Sequence, residues 1–364
     1  MFTRIRLVVV IFLINFFGAY AQKDSLLHNY FYTGKQYGSE SLYNPFSLIV
    51  NGGYDIYQLS DFNRQFLDFN YKTSAENVSN NLFHFNATIN QVGWWHFTKT
   101  ELLPLTFNTK GAQWVPNYLL HTMGGGMSCT RLTEWYESQN VPIPKIFSIL
   151  TVLSAGFLNE LAENGEYVGY NSDPISDTYI FNIAGIILFN FPEVNKFFSQ
   201  QLHMSDWSLQ PTLTIPNLAL NNSGQYFSLK YNLPFTPRWS LFSRMGMSTM
   251  GGLSYKIDTE RSLSFGAGAR AYKWIMIDSV GRQQSVSTRF TAGVFYDKNN
   301  SLMASLVFSD VEDCFLDINI YPGILHLGKL SPGFWTIIKK DGTPIFGISS
   351  SFFIGLGGDF TKTP

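Results

Sequence analysis

The sequence predicts a membrane all-β fold with a helical insert: an antiparallel transmembrane β-barrel of about twelve strands carrying a plug-like or periplasmic helical segment. Three observations predict it. From Asp206 onwards apolar and polar residues alternate with a period of two, in stretches separated by turn residues. Charged residues make up only 14% of the chain while aromatics reach 16%, the reverse of an ordinary soluble domain. The first residues, with Arg4 and Arg6, then an apolar core, then Ala19-Tyr20-Ala21, read as a secretory signal peptide cleaved before Gln22.

Residues 1–21 are thus assigned to export and 22–43 (QKDSLLHNYFYTGKQYGSESLY) to a polar N-terminal segment. Residues 44–73, with PFSLIVNGGYDIYQL and RQFLDFNYKT, are expected to supply the first barrel strands. The texture changes at Ser74, and residues 74–205 are expected to form the helical insert. Within it, AENVSNNLFHFNATINQVGWWHFTKTELLP lacks alternation and reads as one or two aromatic helices. Pro116–Ser138 has helical spacing, broken or kinked at Gly124-Gly125-Gly126, which permit close helix–helix approach. Pro142 and Pro144 separate it from Lys145–Glu163, where Ile146, Ile149, Leu150, Leu153, Phe157 and Leu161 share one face. Asp173 is placed as the N-cap before Pro174, with Asp177 near the positive end of that helix. The apolar run Ile146–Leu158 is shorter than the roughly 20 residues of a spanning helix.

Residues 206–364 are the main barrel strands. Phe227, Leu229 and Tyr231 alternate with Ser228, Lys230 and Asn232, and Leu253, Tyr255 and Ile257 with Ser254, Lys256 and Asp258. The first set of each pair is expected to face lipid. The strand Phe346–Phe360 resembles the aromatic C-terminal strand of outer-membrane barrels. A net charge of −1 offers nucleic acid no basic surface. Cys129 and Cys314 are expected as unpaired, half-buried thiols, although an oxidising compartment allows a disulfide.

The ionisable residues that the insert carries amid apolar helices are His121, Arg131, Glu134, Glu137, Glu160, Glu163, Asp173 and Asp177, with Asn159 beside them. Charges in a low-dielectric place normally pair, so one reading is a structural Arg–carboxylate network bonded to His121. The sharper reading is an acid–base or metal site of His121 with two carboxylates, Glu134 and Glu160 being the catalytic candidates. No zincin or P-loop spacing is present, so no metal or cofactor is assigned. A serine hydrolase built on Ser128, Ser148 or Ser154 lacks a G-x-S-x-G elbow.

The blocks PNYLLHTMGGGM, RLTEWYE, FLNELAEN and DPISD resemble those of an uncharacterised family of Bacteroidota outer-membrane proteins. In that family a His-containing helical insert precedes a β-barrel. The resemblance covers roughly residues 80–190 and the barrel pattern, and it implies location and architecture without an activity. The expected location is therefore the cell outer membrane, with its lipid and other envelope proteins as partners. The favoured expectation for function is a non-enzymatic component of transport, export or envelope assembly. The alternative is an outer-membrane enzyme acting on lipid or lipopolysaccharide through His121 and a carboxylate.

Overall fold

The computed structural model describes residues 29–60, 64–104, 115–276, 284–328, 330–350 and 353–359. The signal peptide, its cleavage point before Gln22 and the terminal Phe360 lie outside the described residues. The rest divides into a helical half and a sheet half.

Among the described residues of 44–73, helices and turns stand where strands were expected. Helix α1 (Pro45–Gly53) starts from a capping box: the Asn44 side chain accepts from Ser47 N at 2.9 Å, and Ser47 Oγ accepts from Asn44 N at 3.0 Å. Pro45 sits at the first helical position, where its missing N–H costs nothing. Such a cap contributes about 1 kcal/mol, enough to commit a short apolar stretch that alternation alone leaves ambiguous. A 3₁₀ turn (Asp55–Gln58) follows, so the helical part begins before Ser74.

Then come α2 (Tyr71–Phe83), α3 (Phe85–Val92) and α4 (Trp94–Phe97), the last running into a π-helical turn, Thr98–Leu102. A second π-helical stretch, Val115–Gly124, leads into α5 (Gly125–Ser138). The longest helix, α6 (Pro144–Asn164), extends past the predicted apolar run to 21 residues. By length and composition it is apolar enough to cross a membrane, with Glu160 and Glu163 near its C-terminal end. Helix α7 (Asp173–Ser176) is capped by Ser172, not Asp173, which is its first residue. It continues through a third π turn (Asp177–Phe181) into α8 (Asn182–Leu188), and α9 (Pro192–Lys196) ends in a fourth, Phe197–Gln201.

The glycines let these helices touch. A Cβ on Gly126 would lie 2.6 Å from Gly185 O, and one on Gly185 2.3 Å from Thr122 O. Leu132, Cys129, Val152 and Ile186 pack in the resulting seam.

The sheet half is a mixed sheet of thirteen paired segments, one more than about twelve, in the order β1-β4-β5-β6-β7-β8-β9-β10-β11-β12-β13-β2-β3. These are β1 (Ser205–Asp206), β2 (Thr212–Ile215), β3 (Ala219–Asn221), β4 (Phe227–Asn232), β5 (Trp239–Met245), β6 (Ser248–Lys256), β7 (Arg261–Met276), β8 (Gln284–Lys298), β9 (Ser301–Val311), β10 (Cys314–Ile320), β11 (Gly333–Ile338), β12 (Pro344–Ser350) and β13 (Phe353–Asp359). From β4 to β13 each segment pairs antiparallel with the next, and β13 pairs parallel with β2.

One register joins the short segments. Ser205 faces Ser228 in the β1–β4 ladder, and Thr212 faces Asn221 in the β2–β3 ladder, an equal step forward and back. Between them Trp207 N donates to Tyr226 O at 2.8 Å and Leu209 N to Gly224 O at 2.9 Å. Residues 205–215 and 219–232 therefore run as the two arms of one hairpin.

The faces of the sheet are inverted relative to a soluble protein. Ser228, Lys230, Ser240, Arg244, Ser254, Ser264, Arg270, Thr291, Asp297, Asp317, Asn319 and Ser349 share the buried face, around Trp207, Phe242, Phe295 and Trp335. The opposite face shows Leu241, Leu253 and Phe265, paired strand to strand, and Phe290, Leu306, Ile348 and Leu356, all exposed. Two buried charges on this face have close partners: Lys230 Nζ lies 2.5 Å from Asp297 Oδ2, and the Arg244 guanidinium stacks 3.4 Å above the Tyr226 ring. Of the β4 residues expected to face lipid, Tyr231 is exposed and Leu229 half-buried. Phe227 is buried, because Gly124, Met127 and Phe189 from the helices cover it.

Candidate functional site

The ionisable residues of the insert separate into two places. The first surrounds Arg131 on α5. Its Nη1 lies 2.8 Å from Asp206 Oδ2, and its guanidinium stacks 3.7 Å from the centre of the Tyr43 ring. Glu134, one turn on, does not meet His121. Its carboxylate accepts three backbone N–H groups, from Tyr30 (2.6 Å), Phe31 (2.9 Å) and Tyr32 (2.7 Å). Burial pushes its carboxyl up to about 7, against those bonds and the charge of Arg131. Glu40 closes the group, accepting from Thr33 N at 2.6 Å and facing Lys35 Nζ at 3.2 Å. Each acid here has a base or backbone donors: Asp206 has Arg131, Glu40 has Lys35, and Glu134 has three N–H groups that tie the N-terminal segment to α5. Glu137 joins neither place and is exposed.

The second place gathers His121, Asn159, Glu160, Glu163, Asp173 and Asp177, and adds three residues that the sequence reading left out: Asp55, Glu101 and Asn182. His121 Nε2 lies 3.0 Å from Asp177 Oδ2, and its Nδ1 lies 3.3 Å from Asn182 Oδ1. Room for Asn182 exists because residue 156 is glycine; a Cβ there would sit 2.9 Å from Asn182 Nδ2. Asn159 Nδ2 donates to Asp55 Oδ1 at 2.8 Å, and Ser176 Oγ to Asp177 Oδ1 at 3.2 Å. Three of the four π-helical segments carry a member: Glu101, His121 and Asp177. The wider turn re-aims a side chain out of the α-helical phase, a frequent device at functional sites.

The balance of charge differs sharply from the first place. Glu101, Glu160, Asp173 and Asp177 are buried, Glu163 is half-buried, and Asp55 stands at the end of the group. The strongest charges on Glu101 and Glu160 come from other acids, and His121 opposes the acids around Glu163. Burial lowers the affinity of His121 for a proton, but Asp177 overrides this and raises the imidazole to about 9. Burial, then Asp173 and Asp177, drives the Glu101 carboxyl well above the ordinary carboxylate range.

This group stands at one side of a cavity of about 310 Å³. His121, Glu163, Asp173 and Asp177 provide its polar wall, and Leu48, Val152 and Ala155 part of its apolar one. The remaining wall comes from the sheet, through Thr249, Ala269, Ala271 and Thr288. In the strand register these lie on the face that carries Leu253, Phe265 and Phe290, opposite the buried polar face. The cavity thus lies between the helices and the apolar face of β6–β8.

Asp55 was hidden in a stretch read as strand. Glu101 stands between Thr100 and Leu102 and looks like any surface charge in sequence. No family model, curated protein or solved structure matches the chain.

Proposed function

We propose that the chain is an outer-membrane β-barrel that acts on a lipid, with the acyl part held in the apolar cavity and the reacting linkage at His121 and Asp177. The observation that carries this reading is the junction of the two: a His–carboxylate pair, 3.0 Å apart, opening onto an apolar cavity walled by the exposed face of the sheet. Plain structural pairing accounts for the Arg131 group, where every acid has a base or backbone donors. It does not account for an acid-rich group set beside a space of lipid-chain character.

The membrane part of the proposal draws on the inverted faces, since polar-in and apolar-out strands suit a wall between lipid and a filled lumen. Barrel closure draws on the common hairpin register. Joining β1 to β2 and β3 to β4 turns thirteen segments into eleven strands. An up-and-down meander with an odd number of strands must close on a parallel pair, and β13 with β2 supplies one. The sequence of the N-terminal segment, which reads as a signal peptide, supports the same location.

In the reaction His121, held protonated beside Asp177, gives its proton to the leaving oxygen of a lipid ester, and Glu163 on the same cavity wall receives one from the attacking water. Asn182 fixes the ring from the other side. The test is incubation of the folded protein with mixed micelles of phospholipid and lipopolysaccharide, read by mass spectrometry of cleaved products. His121→Ala is expected to keep a heat-modifiable folded barrel and to lose at least a hundredfold in turnover. If the wild type leaves both lipids intact while His121→Ala complements a deletion strain, the protein is a non-enzymatic envelope component and the proposal fails.

A further inference from the structure

We infer that His121, Glu160 and Asp177 form a binding site for one divalent first-row metal cation, with Mn²⁺ as its experimental probe. This deepens the reading of the same site, but it stands on separate observations. A bound ion takes the Nε2 lone pair of neutral His121, whose remaining proton on Nδ1 faces Asn182 Oδ1, and its Lewis acidity then takes the place of the His121 proton at the leaving oxygen. One donor atom from each of the three residues lies within 4.8 Å of the others. Donors about 2.0–2.1 Å from one ion stand about 3.0 Å apart at right angles and about 4.2 Å apart across it, so one cation holds the three once the widest pair closes by at most about 0.6 Å. The 3.0 Å separation of His121 Nε2 and Asp177 Oδ2 matches the right-angle case.

An independent observation points the same way. Glu101 is 4% exposed, its Oε2 has no hydrogen-bond partner among the described residues, and the charges it feels most are Asp173 and Asp177. A buried carboxylate oxygen without a donor is costly unless something positive faces it. Glu160, at 2% exposure, likewise feels Asp177 and Asp173 most strongly. One imidazole cannot balance so many acids, whereas an ion of charge +2 serves several at once. The donor set selects the ion: carboxylates favour hard cations, the imidazole favours later first-row metals, and no thiolate is present to favour soft ones. On the cavity side the three ligands leave coordination positions open, where a water or a lipid oxygen has access.

The experiment uses the full chain, folded in detergent micelles, stripped with chelator and titrated with Mn²⁺ while the resonance of free Mn²⁺ is followed. One equivalent is expected to bind and to raise the unfolding temperature. Glu160→Gln and Asp177→Asn are expected to weaken binding at least tenfold, whereas Glu137→Gln on the exposed face of α5 leaves it unchanged. Folding of each variant is checked by heat-modifiable mobility, and Glu101→Gln serves as a further variant should either ligand substitution not fold. Absence of binding at millimolar Mn²⁺ overturns the proposal, as does equal binding by wild type, Glu160→Gln and Asp177→Asn. Lipid turnover, measured in parallel, separates the two readings. Turnover that persists in chelator rejects the metal site alone; tight Mn²⁺ binding without turnover on any lipid rejects the enzyme alone.

Discussion

Arg131→Ala tests the balanced half of the insert. The side chain is buried, and its partner Asp206 is buried with it, 2.8 Å away. Removing the guanidinium leaves Asp206 with a backbone bond from Ser208 N (2.8 Å), while Glu134 keeps its three N–H donors and Glu40 keeps Lys35. The penalty therefore falls chiefly on one carboxylate, and an uncompensated buried charge costs about 3–5 kcal/mol. Stacking on Tyr43 belongs to the same group and is contained in that figure, not added to it. Denaturant unfolding in micelles, followed by tryptophan fluorescence, measures the loss, with the folded fraction read from gel mobility. Arg131→Met combined with Asp206→Leu should recover most of it, because an apolar pair of similar volume replaces a buried ion pair at little cost. A loss below about 1 kcal/mol for Arg131→Ala, the range of exposed ion pairs, would refute the argument.

Gly185→Ala should cost about 1–3 kcal/mol in the same assay, because its Cβ would meet the Thr122 carbonyl at 2.3 Å and backbone cannot rotate away. Burial raises the Glu40 carboxyl, but Arg131, Lys35 and the bonds from Thr33 overcome this and hold it below its ordinary value. The stability Glu40 supplies is thus present above the ordinary carboxylate range and lost as pH falls through the lower folded value; Glu40→Gln should weaken the protein at neutral pH and remove that part of the acid slope. Burial pushes the Cys129 thiol up to about 12, and both cysteines are free and fully buried, not half-buried. Neither should react with a thiol reagent at about pH 8 until denaturant is added, when both should. Leu241→Arg, on the exposed apolar face, should cost about 2–4 kcal/mol in a bilayer if it lies near mid-membrane, and a cost near zero in lipid vesicles would speak against the membrane wall.

The β part of the chain was legible because a two-residue period is a local signal that pairing only completes. Leu241, Leu253 and Phe265 carry their exposed face in the alternation itself. What alternation could not reveal was the join of the ladders across residues 207–211, which depends on partners such as Tyr226 and Gly224. The stretch PFSLIVNGGYDIYQL misled for a related reason: its apolar residues fit a strand or a short buried helix equally well. The Asn44–Ser47 capping box and Pro45 decide for helix. Spacing also suggested that Arg131 and Glu134 share a face and belong with His121. Spacing along one helix says nothing about which neighbour each side chain reaches, and here the partners, Asp206 and the backbone of residues 30–32, lie far away in sequence.

The division of the insert into two groups has a physical logic. A buried charge that serves stability needs a counter-charge or donors in the folded chain itself, and Arg131, Glu134 and Glu40 all have them. A buried acid without such a counter-charge weakens the fold, so its presence calls for something the chain does not contain: a proton, a cation or a substrate group. Glu101 and Glu160 are in that position: the strongest charges on both come from other acids. They also stand where three helical segments widen into π turns and where the apolar side of the sheet closes a cavity. Replacing acids in the two groups should therefore give opposite results in metal-free protein. Glu160→Gln removes repulsion and should raise the unfolding midpoint, whereas Glu134→Gln forfeits the charge that holds three N–H groups and should lower it. Equal losses from both substitutions would mean that the acid-rich group is as fully compensated as the other, and the distinction between support and site would fall.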